Sequence, residues 1–354
     1  MNAPTTVEPP APKSARRTGR ELILATKPFQ DEDVARSWSE LFATLAVYSA
    51  CIAGVALAPW LVLQVALAVL AGLVQFRLFS LYHDHNHGSV LAKSPAGRRI
   101  MSAIGVFLLT PRSVWKETHN FHHWNNGKLE WASIGSYPVM TSEQLEDADA
   151  DTRKAYRRTR HWLGILGGYI TVGIGGMCLA AFRRAPKRHW VGPVAIVLHV
   201  AALVVVSLLA SPLLAALCVF APTFVNHAFS SYLFYAQHNF PETRFFSRDE
   251  WDYTEAALHG SSYLVMGPVM RWLTANIGFH HIHHLNSKIP FYRLPEAMAA
   301  IEELQDPHRT SFAPRDVLAC LELDHWNPQA QAMRTAPDLQ QQACETNSAQ
   351  IVVT

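Results

Sequence analysis

Two long stretches of the chain contain no Asp, Glu, Lys or Arg: Leu41 to Phe76, and Trp190 to Pro241. A membrane-crossing helix needs about 20 apolar residues, so each stretch accommodates two crossings, the first one tightly. Each is interrupted near its middle, by Pro59-Trp60 and by Ser211-Pro212. Lipid tolerates no unpaired backbone, so two helical hairpins are the economical reading. Overall, 49% of the residues are hydrophobic and only 16% charged, where soluble domains carry about 25% charged. The competing arrangement is a soluble protein with two buried core helices per stretch.

The expected fold is therefore an all-α integral membrane protein. Its four transmembrane helices form two hairpins at about 38–58, 60–80, 190–210 and 212–236. Residues 1–31 are rich in Pro, Ala and Thr with scattered Arg and Lys, and read as a disordered basic tail. Residues 327–354 read as a second disordered tail, which leaves 32–326 as the membrane domain. Basic residues flank the spans: Arg77, Lys93, Arg98 and Arg99, then Arg153 to Arg160 and Arg183 to Arg188, then Arg244, Arg248 and Arg271. By the positive-inside tendency these groups and both termini face the cytoplasm.

Residues 162–182 are apolar but carry six glycines and have basic clusters at both ends. They are expected to form a monotopic or re-entrant helix. Ile100 to Leu109 is too short to span and is expected to be interfacial. The five cysteines are scattered without a CxxC pair, so neither a disulfide framework nor a thiolate site is expected. A net charge of +2 gives no footprint for nucleic acid.

Ten of the 18 histidines fall in three windows: His83-Asp-His-Asn-His87, His119-Asn-Phe-His-His123 and His280-His-Ile-His-His284. Imidazole is the commonest metal ligand. On a helix, His83 and His87 share a face, as do His119, His122 and His123, and again His280, His283 and His284. His238 emerges after the fourth span on the same side. These nine imidazoles exceed the four to six ligands of one ion and suit two metals. Ligand type allows iron, zinc, copper or nickel. The soluble di-iron pattern of paired Glu-x-x-His motifs occurs once, at Glu322 to His325.

Metal-bound imidazoles usually donate their other N–H to a carboxylate or carbonyl. Asp84, Glu117, Asp252 and Glu255 are the carboxylate candidates for that role. Asn276, one turn before His280, is a candidate for direct or water-mediated binding, with helix capping as the alternative. His85 points away from His83 and His87, and His281 sits at the edge of its face. His199 and His227 are expected to pack within the second hairpin. His161 and His189, beside Arg or Lys, are expected to face headgroups.

At these residues the chain resembles the integral-membrane fatty acid desaturases, over roughly residues 35–310. The first box reads His83-Asp-His-Asn-His-Gly-Ser89 and the second Thr118-His-Asn-Phe-His-His-Trp-Asn-Asn126. The third reads Asn276-Ile-Gly-Phe-His-His-Ile-His-His-Leu285, followed by Ile289-Pro290 and Tyr292-Arg-Leu-Pro295. Gln237-His238-Asn239, Glu250-Trp-Asp252 and Gly260-Ser-Ser262 are similar to the bacterial branch. The resemblance implies a cytoplasmic cap on a bacterial inner-membrane protein, with the nine histidines holding a non-haem di-iron centre. It further implies O₂ as co-substrate, a ferredoxin-like or cytochrome-type electron donor, and an acyl chain that leaves with a cis double bond. The HxxxH first box leans towards lipid-linked acyl chains. Acyl-CoA desaturases have an Asn one turn before the extra histidine, where this chain has Phe234. No His-Pro-Gly-Gly haem segment occurs, so an external donor is expected.

Three rival readings remain at this stage. A hydroxylase, epoxygenase or carotenoid ketolase would start from the same metal site. A histidine-rich metal transporter would need polar ligands within the spans, which are nearly free of them. A non-catalytic lipid-binding protein gives nine aligned histidines no task.

Overall fold

The computed structural model describes residues 16–129 and 137–337. Four helices in it are long and apolar enough to cross a membrane: Val34–Leu57, Leu61–His87, Val191–Leu209 and Pro212–Ala236. Their breaks fall where the two Pro-containing turns predict. Outward side chains such as Leu57, Val62, Leu208 and Leu209 are strongly exposed, as a lipid-facing surface requires.

The second and fourth spans cross at a glycine. A Cβ on Gly72 would lie 2.5 Å from Val225 Cβ and 3.0 Å from the Pro222 carbonyl oxygen, so only a bare Cα fits there. The first and second spans are tied by charge as well as packing. Arg77 is buried, ion-paired with Glu40, hydrogen-bonded through Nε to Thr44 Oγ1 at 3.0 Å, and stacked 4.3 Å over the Trp272 ring. This corrects its expected place among the cytoplasm-facing loop charges: a cation on a helix packed on both sides persists because its partners are built in.

The segment after Arg160 forms a short helix, Trp162–Leu166, then a wide π-helical run, Tyr169–Ala180, then Ala181–Arg184. Its glycines allow close approach to the fourth span. A Cβ on Gly173 would meet the His227 ring at 2.7 Å. Both flanks of the segment return to the histidine-bearing cap: Arg160 donates to Asn239 Oδ1 at 2.8 Å, and His189 Nδ1 lies 3.0 Å from Ser113 Oγ.

The cap contains a continuous apolar core that includes Leu78, Tyr82, Leu108, Ile282, Leu285, Ile289 and Leu294. Two small strand pairs decorate it, Tyr263–Val265 parallel to Arg309–Ser311 and Leu323–Asn327 antiparallel to Ala332–Thr335.

Regular structure extends beyond 32–326 at both ends. Gly19–Ala25 is helical, with Leu22 buried in the cap core, and Thr26 Oγ1 accepts from Asn286 at 2.6 Å. At the other end, Trp326 and Met333 are buried across the terminal strand pair. In each case a short apolar cluster docks the segment: Leu22 with Ile23, Ala25 and Phe29 at one end, and Leu323, Trp326 and Met333 at the other. The remainder, 1–15 and 338–354, lies outside the described residues.

Gly72→Ala is expected to destabilise the protein by about 1–3 kcal/mol through overpacking at the crossing. Thermal unfolding in detergent measures it, and an unchanged midpoint would contradict the crossing.

Candidate metal centre

The second span has 27 residues, or about 40 Å at the helical rise, against about 30 Å of hydrocarbon. Its surplus turns lift His83 and His87 above the apolar region, and Gly88 (φ 83°) ends the helix. The second window occupies helix Arg112–Trp124. The third occupies the short helix His280–Leu285. His238 follows the end of the fourth span.

All nine imidazoles converge in two adjoining groups: His83, His87, His119, His123 and His283, then His122, His238, His280 and His284. Nε2 atoms face one another at 3.0 Å for His119–His123, 3.2 Å for His123–His283, 3.1 Å for His122–His238 and 2.9 Å for His238–His280. Nitrogens bound at about 2.1 Å and at right angles around one ion would be about 3.0 Å apart. The groups touch through His123 and His284, whose rings stack at 4.2 Å. His87 Nε2 is buried without a hydrogen-bond partner among the described residues. A pair of imidazole-liganded metal ions fits this donor set.

Burial holds His119, His122, His123, His280, His283 and His284 well below the usual imidazole value, and His238 near 4, with neighbouring imidazoles adding to the effect at every one but His238. They are neutral at physiological pH, the form that binds metal. No carboxylate belongs to either group.

Among the expected supports, Asp84 stands behind a ligand-set histidine. Its Oδ1 lies 3.0 Å from His83 Nδ1, and its Oδ2 accepts from the Phe291 N–H at 2.9 Å. Asn276 does not precede His280 by a helical turn, because Ala275 and Asn276 adopt left-handed conformations (φ 47° and 55°). Its amide instead donates to the Phe291 carbonyl at 3.1 Å, so it steadies the residue that steadies Asp84. Asp252 caps its own helix through Thr254 N and Glu255 N. Glu255 faces His259, and Glu117 faces Arg188.

The support that the sequence missed is the Gly260 carbonyl, which accepts from His238 Nδ1 at 2.8 Å. A backbone oxygen has no sequence signature. His85 points away as expected, with Nδ1 donating to the Val90 carbonyl at 2.9 Å, and His281 Nε2 donates to the Leu304 carbonyl at 3.2 Å. His199 pairs with the Tyr169 hydroxyl at 2.9 Å and His227 with the Leu108 carbonyl at 3.1 Å. His161 is exposed, whereas His189 is buried beside Ser113 and not turned outward.

His281 is held near 4 by burial, against an ordinary 6.5. The folded chain resists protonation there while the unfolded chain accepts it. Its neutral form therefore adds nothing to acid sensitivity above 6.5, and stability falls as pH drops from 6.5 to 4, by on the order of 3 kcal/mol. His281→Gln keeps a donor for Leu304 and is expected to remove about that much of the acid loss in metal-free protein. An acid titration of thermal stability unchanged by this substitution would count against the assignment.

Comparisons with known proteins agree with this geometry. Residues 58–315 match the family described as Fatty acid desaturase. A fatty acid desaturase of Bacillus subtilis (strain 168) is 31% identical over 249 residues, covering 69% of this chain and 70% of that one. An sn-1 oleoyl-lipid 12-desaturase of Picosynechococcus sp. is 25% identical, covering 76% of this chain and 77% of its own. That of Synechocystis sp. is 23% identical over 80% and 82%. The family match runs through all three histidine windows and three of the four spans, so this chain belongs to the fatty acid desaturase family and is an oxidoreductase.

Proposed function

We propose that the chain is an acyl-lipid desaturase of a bacterial inner membrane. It introduces a cis double bond into a lipid-linked acyl chain, with O₂ as co-substrate and electrons from an external ferredoxin-like or cytochrome-type donor. His83, His87, His119, His122, His123, His238, His280, His283 and His284 hold two iron ions on the cytoplasmic side, where both termini also lie. The observation that carries this reading is two adjoining groups of neutral imidazoles with Nε2 atoms 2.9–3.2 Å apart, set against an apolar cavity.

That cavity is lined by Phe79, Trp115, Val172, Met177 and Phe234 among others. A second, more polar cavity reaches His122 and His238 beside Asn125, Asn126 and Asn239. Tyr137 and Phe234 line both. A hydrocarbon chain in the first cavity passes Phe234, whose ring lies 5.8 Å from His119 and 6.2 Å from His122. Trp115 stacks 4.6 Å from His119. These rings exclude water and fix which methylenes face the histidines. Bound iron supplies the oxidising power that a C–H bond without an acid or base handle requires. The names of the cyanobacterial relatives support a lipid-linked acyl substrate.

Expression in a host lacking the activity, followed by gas chromatography of fatty acid methyl esters, tests the reaction. A new C=C is expected, and a new C–OH or an oxidised carotenoid would overturn the assignment. His122→Ala and His283→Ala, one from each group, are expected to abolish product and lower iron content while leaving the protein inserted. Retained activity in either would refute the ligand set. Phe234→Ala is expected to keep iron but spread the double bond over neighbouring positions, whereas unchanged regiochemistry would remove Phe234 from the chain path.

A further inference from the structure

Two histidines lie outside the nine-imidazole cap and take no part in the proposed reaction. His259 ends the short helix Tyr253–His259, and His308 immediately precedes strand Arg309–Ser311. Their backbones are pinned. The His259 carbonyl accepts from Arg244 N–H at 3.0 Å, and the His308 carbonyl from Tyr263 N–H at 2.7 Å.

The two side chains meet with His259 Nδ1 3.2 Å from His308 Nε2, as close as the His123–His283 pair in the cap, also 3.2 Å. The far nitrogens both face carboxylates: His259 Nε2 lies 3.5 Å from Glu255 Oε2, and His308 Nδ1 lies 3.7 Å from Glu242 Oε2. A carboxylate behind the far nitrogen is the usual support of a metal-binding imidazole, orienting the ring and raising its basicity. Here each member of one facing pair has such a carboxylate nearby, at ion-pair rather than hydrogen-bond distance. Their side chains are 35% and 29% exposed, so an aqueous ion reaches them without the fold opening. An adjoining cavity, lined by Arg16, Arg17, Glu255, Glu303 and Asp306 among others, opens beside His259, with Arg17 paired to Glu303.

We propose that His259 Nδ1 and His308 Nε2 bind a divalent transition-metal ion, with water completing its coordination, at a site separate from the cap. Two imidazole nitrogens select the Zn²⁺, Ni²⁺ and Cu²⁺ class over Mg²⁺ and Ca²⁺, which take oxygen. The ion bridges the end of one helix to the start of a strand. It also lies next to the cap's support, because His259 is followed by Gly260, whose carbonyl holds His238. The role is structural: it ties these two elements together and raises stability without entering the reaction. The alternative occupant of the gap is a single proton shared between the rings.

Nickel titration of the purified, iron-loaded full chain, followed by calorimetry, separates the two. The wild type is expected to take up one further Ni²⁺ per chain with a rise in thermal midpoint. His308→Ala and His259→Gln are expected to lose both responses, and His308→Ala keeps its iron and its desaturation. Glu242→Gln, which leaves both ligands in place, is expected to weaken Ni²⁺ binding by about 10–100-fold and serves if a histidine variant fails to fold. Absence of saturable Ni²⁺ uptake by the wild type, or uptake undiminished in these variants, overturns the site in favour of the shared proton.

Discussion

Nine imidazoles are crowded into two adjoining groups, neither of which includes a carboxylate. Burial and mutual proximity keep protons off those on the second- and third-window helices. A cluster of neutral donors aimed at one another is a cage for cations, because nothing else satisfies so many facing lone pairs at once. The rest of the molecule serves to assemble that cage. The second span overruns the bilayer thickness to deliver His83 and His87, the fourth delivers His238, and the cap core holds the short third-window helix against both.

Assembly depends on a chain of fixed groups behind the ligands. Asn276 holds the Phe291 carbonyl, the Phe291 N–H holds Asp84, and Asp84 holds His83. On the other side Gly260 holds His238. These contacts set ring orientation, which a metal site needs to within fractions of an ångström. At the membrane face, Gly72 and Gly173 let helices approach closely where no hydrophobic driving force exists between lipid-bathed surfaces.

Much of this was legible in the sequence because it is written in residue types. The spans are absences of charge from 41–76 and 190–241, and the cap is written in histidines at helical spacing. What was illegible depended on backbone or distant partners. The Gly260 carbonyl has no letter of its own. Asn276 is spaced one helical turn before His280, but the left-handed turn at Ala275 excludes that helix. Asp252 and Glu255 are close in sequence to the third window, yet their carboxylates are spent on a helix cap and on His259. Arg77 read as a boundary charge because Glu40 and Trp272, its partners, are remote in the chain. The docked ends rest on short apolar clusters, Leu22 with Ile23, Ala25 and Phe29, and Leu323 with Trp326 and Met333, which composition averages away.

The central claim is that the cap holds a pair of irons by imidazole nitrogen alone. X-ray absorption at the iron edge of the purified wild-type protein, with metal content from the same sample, tests it most directly. The account predicts two irons per chain, each surrounded by nitrogen-dominated ligands at about 2.1 Å with the outer-shell signature of imidazole rings. Zinc in place of iron in an active preparation, or sulfur or carboxylate oxygen as the main donor, would contradict it.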